Sequence, residues 1–127
     1  MKSPKEISVL VIDDEPELRE LITMDLELHQ FKTYSAQTVG EALRILSRQP
    51  IDVILSDIRM PGKTGVDMLK MVQAYNHDLP IVILMTGYAD ITDQEAIHLG
   101  AACVLHKPFD RKLLIDTIFQ FVNKKTG

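Results

Sequence analysis

The chain is predicted to be an α/β domain, a parallel sheet with helices on both faces. Three observations predict this. Five runs of strand character recur along 127 residues, segments with helical spacing alternate with them, and two of the runs are apolar almost throughout. Strands covered on both faces read in that way. The length suits one domain, residues 1–127 with a core of about 7–123, enough to bury one core and too short for two.

The elements follow in order. ISVLVI (7–12) is the first strand, and 16–30 is a helix with a stripe of Leu18, Leu21, Ile22 and Leu26. Pro16 suits its first turn, where a missing N–H costs nothing. KTYS (32–35) is a weaker, more polar strand that fits a sheet edge. The helix over 38–48 carries Val39, Ala42, Leu43 and Leu46, and DVILS (52–56) follows as a central strand. Residues 64–75 repeat the helical spacing with Val66, Leu69, Met71 and Val72, before IVILM (81–85), the second central strand. A short helix over 90–99 ends at Gly100, which fits a helix C-cap. ACVL (102–105) and a last helix over 110–123, with Leu113, Leu114, Ile118 and Phe119, complete the pattern. No linker, repeat or low-complexity stretch interrupts it.

Composition excludes several classes. A net charge of −4 argues against a nucleic-acid surface, and Lys124–Lys125 read as a solvated tail. The longest apolar runs fall far below the roughly 18 residues that span a bilayer. Asp13–Glu15 break the first of them after about six residues, unlike a secretory leader. A cytoplasmic location without membrane contact is expected. Cys103, the single cysteine, sits in AACVL and is expected to be a buried, reduced thiol. His29, His77, His98 and His106 show no metal spacing, and Met24, Met60, Met68, Met71 and Met85 read as core or loop filler.

In a doubly wound sheet, ligands bind outside the carboxyl ends of the strands. Here the first strand ends in Asp13–Asp14–Glu15, the third in Asp57, the fourth in Thr86–Gly87, and the fifth runs through His106 to Lys107–Pro108. Each residue also has a plain structural reading. Asp13 or Asp14 suits a helix N-cap, Asp57 the start of the turn into IRMPG, Thr86 a hydroxyl-to-backbone turn, and Lys107 a solvated surface. Four such choices would all have to fall on one sheet edge. Three carboxylates beside a lysine and a hydroxyl instead suit a hard divalent cation and a phosphoryl group. Mg²⁺ takes oxygen ligands and usually one or two protein carboxylates, so Asp14 and Asp57 suit direct ligation and Asp13 ligation through water.

VIDDE (11–15), SDIRMPGKTG (56–65), MTGYAD (85–90) and LHKPFD (105–110), in this order and spacing, resemble the receiver domain of bacterial two-component response regulators over nearly the whole chain. The resemblance implies a flavodoxin-like, doubly wound five-stranded parallel sheet of order 2-1-3-4-5 with five helices. It implies that Asp57 accepts a phosphoryl group from a sensor histidine kinase or phosphotransfer protein. Asp13 and Asp14 are then the acidic pair for Mg²⁺, with the Arg59 carbonyl a further ligand, and Thr86 and Lys107 contact phosphoryl oxygens. A cis Lys107–Pro108 peptide is also implied. The product would be an acyl phosphate that water hydrolyses at the same site. Gly87 leaves an approach to Asp57 open, flanked by Arg59 and Tyr88.

Two departures from the family pattern stand out. Three residues before the lysine, where the family usually has Tyr or Phe, this chain has Val104. The stretch 89–103 is one residue short, so the fourth helix is expected to be shortened or shifted. A phosphatase of the haloacid dehalogenase type also uses an aspartyl phosphate, but it needs an acid two residues after the nucleophile, where Arg59 stands. A receiver-like module that signals by binding, without phosphorylation, would be marked by loss of an acid or the lysine, and none is lost; the missing aromatic keeps it as the alternative. The resemblance is compatible with a stand-alone receiver or with part of a longer protein, and leaves output and oligomeric state open.

Overall fold

Alternation of side chains along the strands divides the domain's core into two layers, one on each face of the sheet. The structure, a computed structural model, describes residues 3–60, 62–75, 80–87 and 91–126, of which 75 and 124–126 by backbone alone. After a single 3-10 turn at Pro4–Glu6, the elements run β1 (Ser8–Ile12), α1 (Pro16–Leu28), β2 (Lys32–Ala36), α2 (Val39–Leu46), β3 (Val53–Asp57), α3 (Gly65–Tyr75), β4 (Ile81–Thr86), α4 (Asp93–His98), β5 (Cys103–His106) and α5 (Arg111–Thr126). The strands are all parallel, in the order β2-β1-β3-β4-β5. The fold class and the strand order implied by the resemblance are therefore observed.

Leu10, Ile12, Ile54, Val82 and Leu84 point to one face, where they pack with residues of α2, α3 and α4. Val9, Val11, Val53, Leu55, Ile83 and Met85 point to the other and meet α1 and α5. Every residue of β1, β3 and β4 is buried, whereas β2, with Lys32 and Ser35 exposed, is an edge as its polarity predicts.

Helix ends are set by local chemistry. The expected helix over 16–30 closes at Leu28 because Gln30 turns left-handed (φ 70°), with Phe31 N–H donating to the Leu26 carbonyl and Gln30 N–H to that of Glu27. Leu26 and Phe31 share one core, the apolar contact that accompanies this motif. The same pattern ends α4 at Gly100 (φ 111°), with Ala101 N–H donating to Ala96. Six residues long, α4 is indeed short, and a reciprocal cap between Thr92 and Glu95 secures its start.

Four expectations need correction. Leu21 on α1 and Leu113 on α5 were expected to face the core, yet they are 56% and 48% exposed, because an apolar position at the margin of a helical stripe can fall outside the seam; Met24, read as core or loop filler, stands 57% exposed on α1. Cys103 is half-buried rather than buried, since β5 is the sheet's second edge. The last helix runs to Thr126, through the expected tail. The first helix is capped by neither Asp13 nor Asp14: its N-cap is Glu15, without a side-chain bond. Tyr88, Asp90 and His77 lie outside the described residues.

Candidate functional site

Chain reversal at β1 creates the site. The connection through α1 leads from β1 to one side and that through α2 returns past it to β3, so the carboxyl ends of β1 and β3 lie side by side. Ile12 is in register with Ser56, Asp57 with Met85, and Thr86 with His106. Asp13 and Asp57 therefore end at one level, with Thr86 one residue and Lys107 two residues beyond it along the same sheet edge.

Asp13 is fully buried and Asp57 is 7% exposed, whereas Asp14 is half-buried. One carboxylate oxygen from each of the three lies within 4.8 Å of the others. Lys107 enters this group from β5: its Nζ is 3.0 Å from Asp57 Oδ2 and 3.3 Å from Asp13 Oδ2. The expected Lys107–Pro108 cis peptide is present. The solvated reading of Lys107 is thus wrong, since its side chain is only 17% exposed and bridges two acids.

Local bonds hold each acid. Asp13 Oδ1 accepts from Glu15 N–H (2.9 Å), and Asp13 N–H donates to the Ala36 carbonyl (3.2 Å). Asp57 Oδ1 accepts from Arg59 N–H at 3.3 Å, so the turn reading of Asp57 holds together with its place in the cluster. The Arg59 side chain is exposed. Thr86 is 2% exposed, and its carbonyl accepts from Lys107 N–H at 2.7 Å, tying β4 to the lysine's backbone. A Cβ added to Gly87 would touch the Lys107 stem at 3.9 Å, which places this glycine beside the cluster.

Electrostatics follow from burial and pairing. Burial pushes the Asp13 carboxyl above its ordinary value, against the opposing pull of the Glu15 amide and Lys107. Burial would pull Lys107 down, but its hydrogen bond to Asp57 and the charges of Asp13 and Asp57 outweigh this and hold it above its ordinary value. Three carboxylates therefore face one firmly charged ammonium. This close set of hard oxygen donors with excess acid is the chemistry that suits Mg²⁺.

Three contacts near the site escaped the sequence reading. Gly65 opens α3, and a Cβ there would lie 2.4 Å from the Asp57 carbonyl oxygen. The loop after Asp57 thus closes against that strand end, helped by Gly65 N–H donating to Ile58 (2.9 Å) and a Thr64–Asp67 reciprocal cap. The Thr64 amide holds the Asp67 carboxyl below its ordinary value. Arg19 in α1 donates to the Asp13 carbonyl, and His106 meets Asp93. Their places in the motif segments 56–65 and 105–110 were the only sequence signals for Gly65 and His106; the arginine had none.

Comparison with known proteins places the chain in a family. Residues 9–119 match the family model described as the response regulator receiver domain. The chain is 36% identical over 102 residues to the response regulator protein PilR of Pseudomonas aeruginosa, covering 80% of this chain and 23% of that protein. It is 39% identical over 111 residues to the C4-dicarboxylate transport transcriptional regulatory protein DctD of Rhizobium meliloti, covering 87% and 24%. The chain thus spans about a quarter of the length of these relatives. A response regulator receiver domain protein from Clostridium thermocellum superposes with a TM-score of 0.88 at 31% identity, over 94% of this chain and 97% of that one. Among the described residues no helix is long and apolar enough to cross a membrane.

Proposed function

Since this chain belongs to the response regulator receiver domain family of two-component systems, we propose that it takes a phosphoryl group from a sensor histidine kinase or phosphotransfer protein onto Asp57, in a Mg²⁺-dependent reaction in the cytoplasm. Residues 1–127 act as one receiver domain, with a core of about 7–123. The observation that carries this reading is the Asp57 carboxylate, set between Lys107 Nζ at 3.0 Å and the acids Asp13 and Asp14.

A carboxylate oxygen of Asp57 attacks phosphorus, the bond from phosphorus to the donor's nitrogen breaks, and the nitrogen keeps that electron pair. Because like charges meet, stabilising the phosphoryl oxygens is the main task. Lys107, held charged by its two acids, turns its ammonium toward them, and Thr86 at the end of β4 supplies a hydroxyl. Asp14 and Asp57 would hold Mg²⁺ directly, with the Arg59 carbonyl, and Asp13 through water. Of the two neighbouring acids at the end of β1, Asp14 is the less enclosed and Asp13 is fully buried, which supports the outer role of Asp13. When bound, the ion adds positive charge opposite the phosphoryl oxygens. Water attacking phosphorus later returns Asp57 to its carboxylate, and Gly87 keeps that approach uncrowded.

The test is intact mass after incubation with acetyl phosphate and Mg²⁺. One phosphoryl group should be gained, and Asp57→Asn should remain folded and gain none. An unchanged gain in that variant would place the acceptor elsewhere, and no gain in the unaltered chain would refute phosphorylation at this site.

A further inference from the structure

Asp13 is held at four points. Its N–H donates to Ala36, Oδ1 accepts from Glu15 and Oδ2 from Lys107, and its carbonyl accepts from Arg19 Nη1 at 2.7 Å. Only the last of these comes from a side chain of α1. Arg19 lies in the second turn of that helix, where its own N–H donates to Glu15 and its carbonyl accepts from the Thr23 hydroxyl, at 3.0 and 2.7 Å. It is half-buried, and its head group reaches back along the helix to the strand end.

The target of this bond is informative. A guanidinium serving only to balance charge would sit on a carboxylate, the fork-shaped partner it matches. Here it takes a backbone carbonyl between two acids, at the point where the chain leaves β1. Asp14, the next residue, carries the less enclosed carboxylate and takes its direction from that peptide.

We infer that Arg19 is a positioning residue for the metal site: by clamping the Asp13 carbonyl to α1 it fixes the peptide that aims the Asp13 and Asp14 carboxylates at the strand-end edge. This rests on the Mg²⁺ reading above. Partners behind ligands commonly carry about 10–100-fold in metal affinity, and a group acting through the backbone belongs at the lower end.

Charge and position make opposite demands, which gives the test its edge. A fixed cation near the site repels Mg²⁺, so removing it should tighten binding if charge were its whole effect. If Arg19 positions the acids, Arg19→Met, which keeps the apolar stem, should weaken Mg²⁺ binding about ten-fold. Arg19→Lys, with one donor able to reach the carbonyl, should recover most of the loss. Mg²⁺ alone is titrated into the full chain by calorimetry, and each variant is melted in EDTA to score folding separately. Arg19→Gln takes the place of methionine should that variant not fold. Tighter or unchanged binding in a folded variant overturns the inference, as does a loss that lysine leaves unrepaired. Absence of Mg²⁺ binding by the unaltered chain overturns the metal reading itself and this role with it.

Discussion

His106 on β5 is the register partner of Thr86 on β4, and its Nε2 lies 2.8 Å from Asp93 Oδ1 in the first turn of α4. The strand end that bears the Thr86 hydroxyl is thus joined to the start of the helix behind it without passing through position 104. Val104 lies 8% exposed and has no ring to swing between pockets. Its β-branched side chain is also restricted at χ1.

Phosphorylation is therefore expected to alter amide exchange at Thr86 and across α4 while Val104 stays quiet. Exchange measured with and without a phosphoryl mimic checks this. His106→Ala should leave the change at Thr86 but shrink it in α4. A dominant change around Val104 would show that the family's usual movement survives without its aromatic ring.

Gly65→Ala should lower both stability and the rate of phosphorylation. The new Cβ would press on backbone, 2.4 Å from the Asp57 carbonyl oxygen and 3.0 Å from Ile58 Cα, so no side chain can yield to relieve it. Overpacking of this kind costs about 1–3 kcal/mol. A thermal melt and a timed acetyl phosphate reaction give the two readouts, and unchanged values in both would mean that the α3 start moves freely from Asp57.

Asp14→Ala should weaken Mg²⁺ binding more than Asp13→Ala. Asp14 is the less enclosed acid, whereas the Asp13 oxygens are engaged by Glu15 and Lys107. Calorimetric titration of both variants checks the order, and equal losses would contradict a direct role for one and an outer role for the other.

Without metal, Asp13→Ala should raise the melting temperature at neutral pH, by roughly 4 °C if the gain is about 1 kcal/mol. Burial raises the Asp13 carboxyl above 3.8 in the folded chain, so between the unfolded and folded values the native state holds the extra proton. Stability falls as pH rises through that window, and the penalty is complete above the folded value. The advantage of the variant should accordingly shrink as pH drops through that window and vanish below 3.8, where both states are protonated. Melts in EDTA across pH would show it. A lower melting temperature for Asp13→Ala at neutral pH would mean that the bonds to Glu15 and Lys107 outweigh the burial of charge.

Five strands, their alternation with helices and the four polar strand ends were legible in the sequence, because strand burial imposes apolar runs and a parallel sheet sends every strand end to one edge. The motifs LHKPFD and VIDDE likewise carried the meeting of Lys107 with the acids. Several decisions came only with tertiary structure. Asp13 and Asp14 are neighbours of the same type, and which is enclosed depends on how Ala36, Glu15 and Lys107 surround the strand end. Leu21, Met24 and Leu113 are as apolar as the residues beside them, and only the position of the packing seam left them in water. Gly65 against Asp57, Arg19 on a backbone carbonyl and His106 on Asp93 have no periodicity to announce them. Periodicity records which face of an element is buried; a contact between one side chain and one distant atom depends on packing distances that no local pattern encodes.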